Sequence, residues 1–413
     1  MNARERFLEV MNFNTHVPTL KWEFGYWGGT VDRWYAEGLP RQRYPEIPKT
    51  VTTPTSSLYC AAWNCEQRKR LPNGYAIMAG GLYWPTQGFA LDYDVRRHLQ
   101  MDHTQVMVDV NLLFEPMFEV RVVEDTPERV VHVDIDGVQR IFQKKEATIP
   151  TTVKGPIDGW ESWNQLKAER LNLKDISRRF PKNWPELVRE YKNRDYPLAI
   201  GGYPHGYFGT LAHLLGYERL FYWYYDEPEL LHDILSTFTE LWINVYSEVL
   251  AQVEVDHIHF WEDISAGKGP MVSLAHVKAF MLPYYRRIID FLKGRGMKIF
   301  LVDTDGDCNS LIPLLMSAGV TGMYPFETHC GMDIVKVRQE YPRLQMFGGV
   351  PKAEIAKGRQ RVDEILRPVE AVLKTGGYVP FGDHFILPEV PWEGFTYYRA
   401  KLNQMIEAAA RRQ

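Results

Sequence analysis

Four places in the sequence set reactive side chains close together: Glu262-Asp263, Asp303-Thr304-Asp305, Glu327 followed by His329 and Cys330, and Asp383-His384. Each follows a short apolar run. Carboxylates brought close together cannot all stay ionised without a proton or a cation among them, so such a cluster either raises its pKa values or binds metal. Carboxylate oxygens with an imidazole nitrogen suit zinc with an open position, or a harder divalent ion. The same groups without metal make a proton-transfer site, for which Glu262, Asp263, Asp303 and His384 are the candidate catalytic residues. A single acid after a strand is often a cap for backbone N–H groups, and Asp307 and Asp333 are read that way. One cap needs one carboxylate, so the doubled acids at 262–263 and 303–305 point to chemistry instead. His329 and Cys330, just before a helix, are read as structural.

Groups this far apart in the chain can meet only if a regular scaffold gathers them. Short apolar runs at residues 197–202, 257–261, 298–302, 321–325, 344–349 and 378–381 predict buried strands, and amphipathic stretches at 229–253, 275–294, 309–317, 333–340 and 362–375 predict helices between them. Alternating strands and helices need right-handed crossovers, which put the helices outside a parallel sheet. With a candidate first strand at 17–24, the pattern predicts an α/β fold of the (β/α)8 barrel type, whose loops after the strands share one mouth. No Gly-x-Gly-x-x-Gly turn announces the alternative, a doubly wound open sheet. Residues 118–152 alternate apolar and polar positions around Asp136-Gly137, predicting an inserted β-hairpin or meander. Glu23, Trp27, Tyr203, His205 and Trp261 also follow or end predicted strands and are candidate substrate-binding residues. The aromatic stretches 22–27 and 221–225 offer walls for a flat or bulky organic substrate.

The chain has 413 residues with 45% hydrophobic content, enough for a large core, and no linker-like or low-complexity tract divides it, so one domain over 1–413 is expected. A net charge of −4 argues against a nucleic-acid partner. The run Arg68-Lys69-Arg70 reads as a solvated loop. Four cysteines are too few for a disulfide framework, the N-terminal segment lacks the apolar core of a secretory signal, and no stretch reaches the roughly 18 apolar residues of a membrane span. A cytoplasmic protein acting on a small molecule is expected, with a homo-oligomer compatible with the sequence.

Arg4-Glu-Arg-Phe7, Trp34-Tyr-Ala-Glu-Gly-Leu-Pro40, Trp261-Glu-Asp263, Asp303-Thr-Asp-Gly-Asp307, Tyr324-Pro-Phe-Glu327 and Gly382-Asp-His-Phe-Ile-Leu-Pro-Glu-Val-Pro391 together resemble the uroporphyrinogen decarboxylase superfamily, over almost the whole chain and most strongly from Ala251 onward. The resemblance implies a distorted (β/α)8 barrel. True decarboxylases of the superfamily carry an N-terminal segment with paired arginines for the porphyrinogen carboxylates. The matching stretch here, Val17-Pro-Thr-Leu-Lys-Trp-Glu-Phe-Gly-Tyr-Trp27, has an acid and aromatics instead, which presents the wrong charge to such a substrate. The branch of zinc-dependent methyltransferases that exchange methyl groups with corrinoid proteins is the nearer match. Its His-x-Cys falls on Asp303 and Asp305 and its late Cys on His384, so oxygen and nitrogen replace thiolates. The resemblance thus implies Asp305, Glu327 and His384 as ligands of zinc or another divalent metal. It implies methyl transfer from a small methylated compound to a corrinoid on a separate protein, since no Asp-x-His-x-x-Gly corrinoid motif is present. A decarboxylase or other lyase acting on a small acid is the alternative.

Overall fold

The computed structural model describes residues 1–40, 93–119, 121–143, 151–202 and 205–411. Its centre is a curled, all-parallel seven-stranded sheet in the order β1-β6-β7-β10-β11-β12-β13. The strands are β1 (Val106–Met107), β6 (Leu198–Gly201), β7 (His257–Trp261), β10 (Phe300–Asp303), β11 (Gly322–Phe326), β12 (Gln345–Gly348) and β13 (Tyr378–Val379). Helices cover the outer face, so strand residues are buried on both sides; Phe-Leu-Val-Asp and Gly-Met-Tyr-Pro-Phe read as continuous runs, while His-Ile-His-Phe-Trp is buried as far as Phe260 although it sets two histidines on one face. The result is a distorted TIM-type barrel.

Six of the strands lie where the apolar runs predict them. The seventh, β1, is a two-residue strand in the short apolar stretch Val106-Met-Val108, cut off by Asp109, and no expected strand covers it. The expected strand at 17–24 is a correction: the segment lies between the two ends of the sheet but outside its regular ladder. Pro18 has no N–H to give, Thr19 reaches the Tyr378 carbonyl with its hydroxyl (2.7 Å), and Lys21 N–H donates to the Asp102 side chain (2.8 Å). Beyond it, Tyr26 and Ile386 form an isolated parallel bridge. The closure is held by Arg399 from the C-terminal helix Trp392–Arg411, whose guanidinium donates to the Trp22 carbonyl (3.0 Å) and to Glu23 Oε1 (2.8 Å).

The predicted insertion is a four-stranded antiparallel sheet of β2 (Arg121–Asp125), β3 (Arg129–Val133), β4 (Gln139–Gln143) and β5 (Thr151–Lys154). Arg140, fully buried, donates to Asp136 (2.8 Å) and Asp134 (3.3 Å) and reaches His213 Nδ1 (3.2 Å) on the helix Tyr207–Leu215. The chain leaving β5 presses against that helix so closely that a Cβ at Gly155 would lie 1.9 Å from the Leu214 carbonyl oxygen. Cys60, Cys65 and Arg68-Lys69-Arg70 fall outside the described residues. Among the described residues, no helix is long and apolar enough to cross a membrane.

Removing one partner of a buried ion pair strands the other charge. Arg399→Met is therefore expected to cost about 3–5 kcal/mol in urea unfolding, and adding Glu23→Leu should recover part of that loss. A single-variant cost below about 1 kcal/mol would show that the pair does not hold the closure.

Candidate functional site

The C-terminal ends of β7, β10, β11, β12 and β13 open on the same side, and their loops bring most of the sequence-predicted acids together. At the end of β7 two consecutive acids part company. Glu262 Oε1 accepts Tyr207 N–H (2.7 Å) and Oε2 accepts Phe208 N–H (2.6 Å) and Gly209 N–H (3.2 Å), while the Tyr285 hydroxyl donates to Oε1 (2.5 Å). These are donors that the first turn of a helix cannot satisfy internally. Glu262 therefore anchors the helix Tyr207–Leu215 to β7, at an approach so close that a Cβ at Gly206 would sit 1.6 Å from the Trp261 carbonyl oxygen. Burial pushes its pKa up to about 7 against those four donors.

Asp263 turns the other way through a left-handed backbone, φ 48°, a conformation that aspartate tolerates better than most side chains. It meets Asp303, the last residue of β10, and Asp305 in the loop beyond: one carboxylate oxygen from each lies within 4.8 Å of the others. Burial first, then the charges of Asp305 and Asp303, hold the Asp263 carboxyl well above its ordinary range. Asp303 is raised likewise, by burial and by Asp305. For Asp305, burial acts upward but is outweighed by the charges of His384 and Lys352, so its pKa is lowered. His384 is the counterpart: burial acts downward, Asp305 outweighs it, and the imidazole pKa is raised. His384 Nε2 and Asp305 Oδ2 are 3.5 Å apart, and the His384 ring packs on Phe24 at 4.8 Å between centroids.

Glu327, after β11, accepts Gly306 N–H (2.9 Å) from the Asp305 loop and lies 3.3 Å from Lys352 Nζ. Ligand atoms of Glu327, His329 and Cys330 fall within 4.8 Å of one another, although His329 remains 63% exposed. Asp383 is not a free acid: its Oδ2 accepts the Thr328 N–H (3.0 Å) and hydroxyl (2.6 Å), and its Oδ1 accepts Lys352 N–H (3.0 Å). It thereby ties together the loops after β11, β12 and β13. Asp307 and Asp333 are caps, as their positions predict: Asp307 accepts Asn309 N–H and Asp333 accepts Val335 N–H and Lys336 N–H.

The substrate-binding candidates divide. Trp27 stands half-buried beside Phe385 (5.8 Å), next to His384, and Trp261 is half-buried against His213 (4.8 Å). Glu23 is committed to Arg399 and to Gly382 N–H (2.9 Å), with only 2% of its surface exposed. His205 is encased by Trp242 (4.2 Å) and Phe260 (4.9 Å), and burial pushes its pKa down to about 3, so it is a core residue. Tyr203 lies outside the described residues. Of the aromatic run 221–225, Phe221, Tyr222 and Tyr225 are exposed. In the same helix, Tyr217–Asp226, two tyrosines feel the strand-end acids: burial and the Asp263 charge push the Tyr217 pKa up to about 12, and burial and Glu262 raise that of Tyr224.

Three contributors lie outside the candidate site residues named from the sequence. Lys352 follows the one strand end where only Gly348-Gly349 stood out. His259 and Tyr324 lie inside strands, and their signal is the period of two that sets His257, His259 and Trp261 on one face.

The uroporphyrinogen decarboxylase (URO-D) family model matches residues 148–403, a span that holds every acid of this mouth. The chain belongs to the uroporphyrinogen decarboxylase family. No curated protein matches it. As a URO-D family chain it is a decarboxylase- or methyltransferase-like member.

The native Glu262 carboxyl keeps its proton to about pH 7, whereas an unfolded glutamate releases it near 4.3. Between those values the folded state binds more protons, so the wild type loses stability as pH rises through the window. Relative to Glu262→Gln, that loss is expected to be on the order of 2–3 kcal/mol between pH 4.5 and 7.5 in urea titrations. A pH-independent difference would mean the carboxylate is ionised throughout.

Proposed function

We propose that this URO-D family chain is a divalent-metal-assisted methyltransferase, taking a methyl group from a small methylated compound and passing it to a corrinoid held by a separate protein. The observation that carries the reading is the meeting of Asp263, Asp303, Asp305, Glu327 and His384 from four strand ends at one mouth. Asp303 and Asp305 stand where the methyltransferase branch has its His-x-Cys, and His384 where it has its late Cys.

Among the described residues the acids that gather within 4.8 Å are Asp263, Asp303 and Asp305, with His384 3.5 Å from Asp305 and Glu327 tied to the same loop through Gly306 N–H, a set of oxygens and one nitrogen whose chemistry suits a divalent ion. Asp305, Glu327 and His384 would hold it, and their oxygens and nitrogen suit zinc or a harder cation rather than a thiolate-seeking one. Such an ion, when bound, supplies Lewis acidity at the heteroatom from which the methyl departs. The protein's own groups do the rest. Asp263 and Asp303, held beside Asp305, would be placed to carry a proton to or from the substrate where charge develops as the bond to methyl breaks. Lys352 keeps Glu327 and Asp383 in place by pairing with both, at 3.3 and 3.6 Å. Phe24, Trp27 and Phe385 wall the His384 side against water. The acidic mouth repels a polycarboxylate, which disfavours a porphyrinogen as substrate.

A second reading, a decarboxylase or other lyase acting on a small organic acid, is favoured by the raised carboxyls alone. A carboxyl that keeps its proton near neutral pH can protonate the carbanion left by departing carbon dioxide.

Metal content of the purified protein separates the two readings. About one zinc or other divalent ion per chain is expected, with His384→Ala weakening it by more than the roughly 10–100-fold that loss of an outer partner causes. Cob(I)alamin methylation, followed optically against methylated amines, ethers and thioethers, should depend on that ion. Protein without bound metal that releases carbon dioxide from a small acid in the presence of chelator would overturn the methyl-transfer reading.

A further inference from the structure

The interior of such a barrel is ordinarily packed with bulky apolar side chains. Here a polar column runs through it. Gln105 Oε1 lies 2.6 Å from His257 Nε2. The Tyr324 hydroxyl sits at the edge of the His259 ring, in contact with Nδ1 and 2.9 Å from Nε2, and His259 Nε2 lies 3.2 Å from Asp303 Oδ2. Gln105, His257, His259, Tyr324 and Asp303 are each at least 95% buried. They come from four neighbourhoods of the sheet: the approach to β1, then β7, β11 and β10.

Burying polar side chains costs free energy that an apolar packing layer would not, so a polar column in this position calls for a use. Its upper end supplies one. The backbone of Asp303 is fixed by the sheet, its carbonyl accepting Glu262 N–H at 2.9 Å, but the sheet does not set its side-chain rotamer. Asp263 and Asp305 repel the carboxylate, and His259 draws it the other way. Burial holds the His259 pKa down at about 3, so the ring is neutral and has one N–H to offer.

We propose that His259, itself oriented by the Tyr324 hydroxyl, is a positioning residue that fixes the Asp303 carboxylate against the repulsion of its neighbours and so keeps the mouth in the arrangement a divalent ion requires. The inference rests on the metal-assisted reading of the same site, and its test has one arm free of metal. Crystal structures of the metal-free wild type, His259→Leu, His259→Gln and Tyr324→Phe read the Asp303 rotamer directly. The leucine variant should release the carboxylate into a second rotamer, and glutamine, which retains a donor, should hold it. If the leucine variant does not fold, Tyr324→Phe, which removes only the hydroxyl, should still turn the His259 ring and shift Asp303. An unmoved Asp303 in the leucine variant, or in Tyr324→Phe when that variant stands in for it, overturns the proposal.

Calorimetric titration with Zn²⁺ and Mn²⁺ is the second arm. Affinity should fall about 10–100-fold in His259→Leu, the size of effect that loss of an orienting partner has at a metal site, and be largely restored in His259→Gln. The unfolding midpoint of the metal-free protein should stay close to that of wild type, which a purely structural role would not allow. If the wild type binds neither ion, the metal reading fails while the crystal structures still decide the positioning role. If wild type and His259→Leu bind equally well, the positioning role fails and the metal reading stands.

Discussion

Repulsion between like charges is the constraint around which the mouth of this barrel is organised. Asp263, Asp303 and Asp305 are held within 4.8 Å of one another, an arrangement that no isolated peptide would adopt. Three devices hold it together. The sheet supplies backbone rigidity through β7 and β10, an αL residue aims Asp263 inward, and cationic or neutral donors stand behind the carboxylates: His384 at Asp305, Lys352 at Glu327 and His259 at Asp303. Energy stored in such a cluster is released by a proton or a cation, which is why both readings of the chemistry begin from the same residues.

Much of this was legible in the sequence because two physical signals coincide there. Parallel strands covered by helices on one face and a packed interior on the other must be apolar throughout, so β6, β7, β10, β11, β12 and β13 stand out as runs. Acids doubled at the ends of those runs exceed what capping requires, and in the doubled pairs the surplus acid does reach the mouth. The failures have equally local causes. Segment 17–24 is apolar enough to be a strand, but Pro18 and the side-chain bonds of Thr19 and Lys21 replace the ladder. Glu262 and Asp263 are indistinguishable by type and position, because the N–H groups that claim Glu262 belong to a helix far upstream in sequence. Lys352, a lone lysine in a loop, carries no spacing that marks it, and His259 and Tyr324 sit inside strands, where an apolar run masks the role of the polar residues within it.

Glu23 and His205 illustrate the opposite error, in which a polar residue near a strand end proves to be structural. Glu23 neutralises Arg399 and caps Gly382, so it fastens the irregular closure of the barrel to its last helix. His205 sits among aromatic rings just before the helix that Glu262 anchors. Both lie one layer beneath the mouth, and their contribution is to the stiffness of the loops above them.

The inserted sheet reaches the same place by another route. Arg140 leaves β4, neutralises Asp134 and Asp136, and touches His213; the His213 ring packs on Trp261, whose peptide neighbour Glu262 anchors the helix carrying His213. One guanidinium thus couples the inserted sheet to the end of β7 in a closed mechanical loop. Loss of that arginine or its two aspartates from the inserted sheet would therefore be felt at the β7 corner as well.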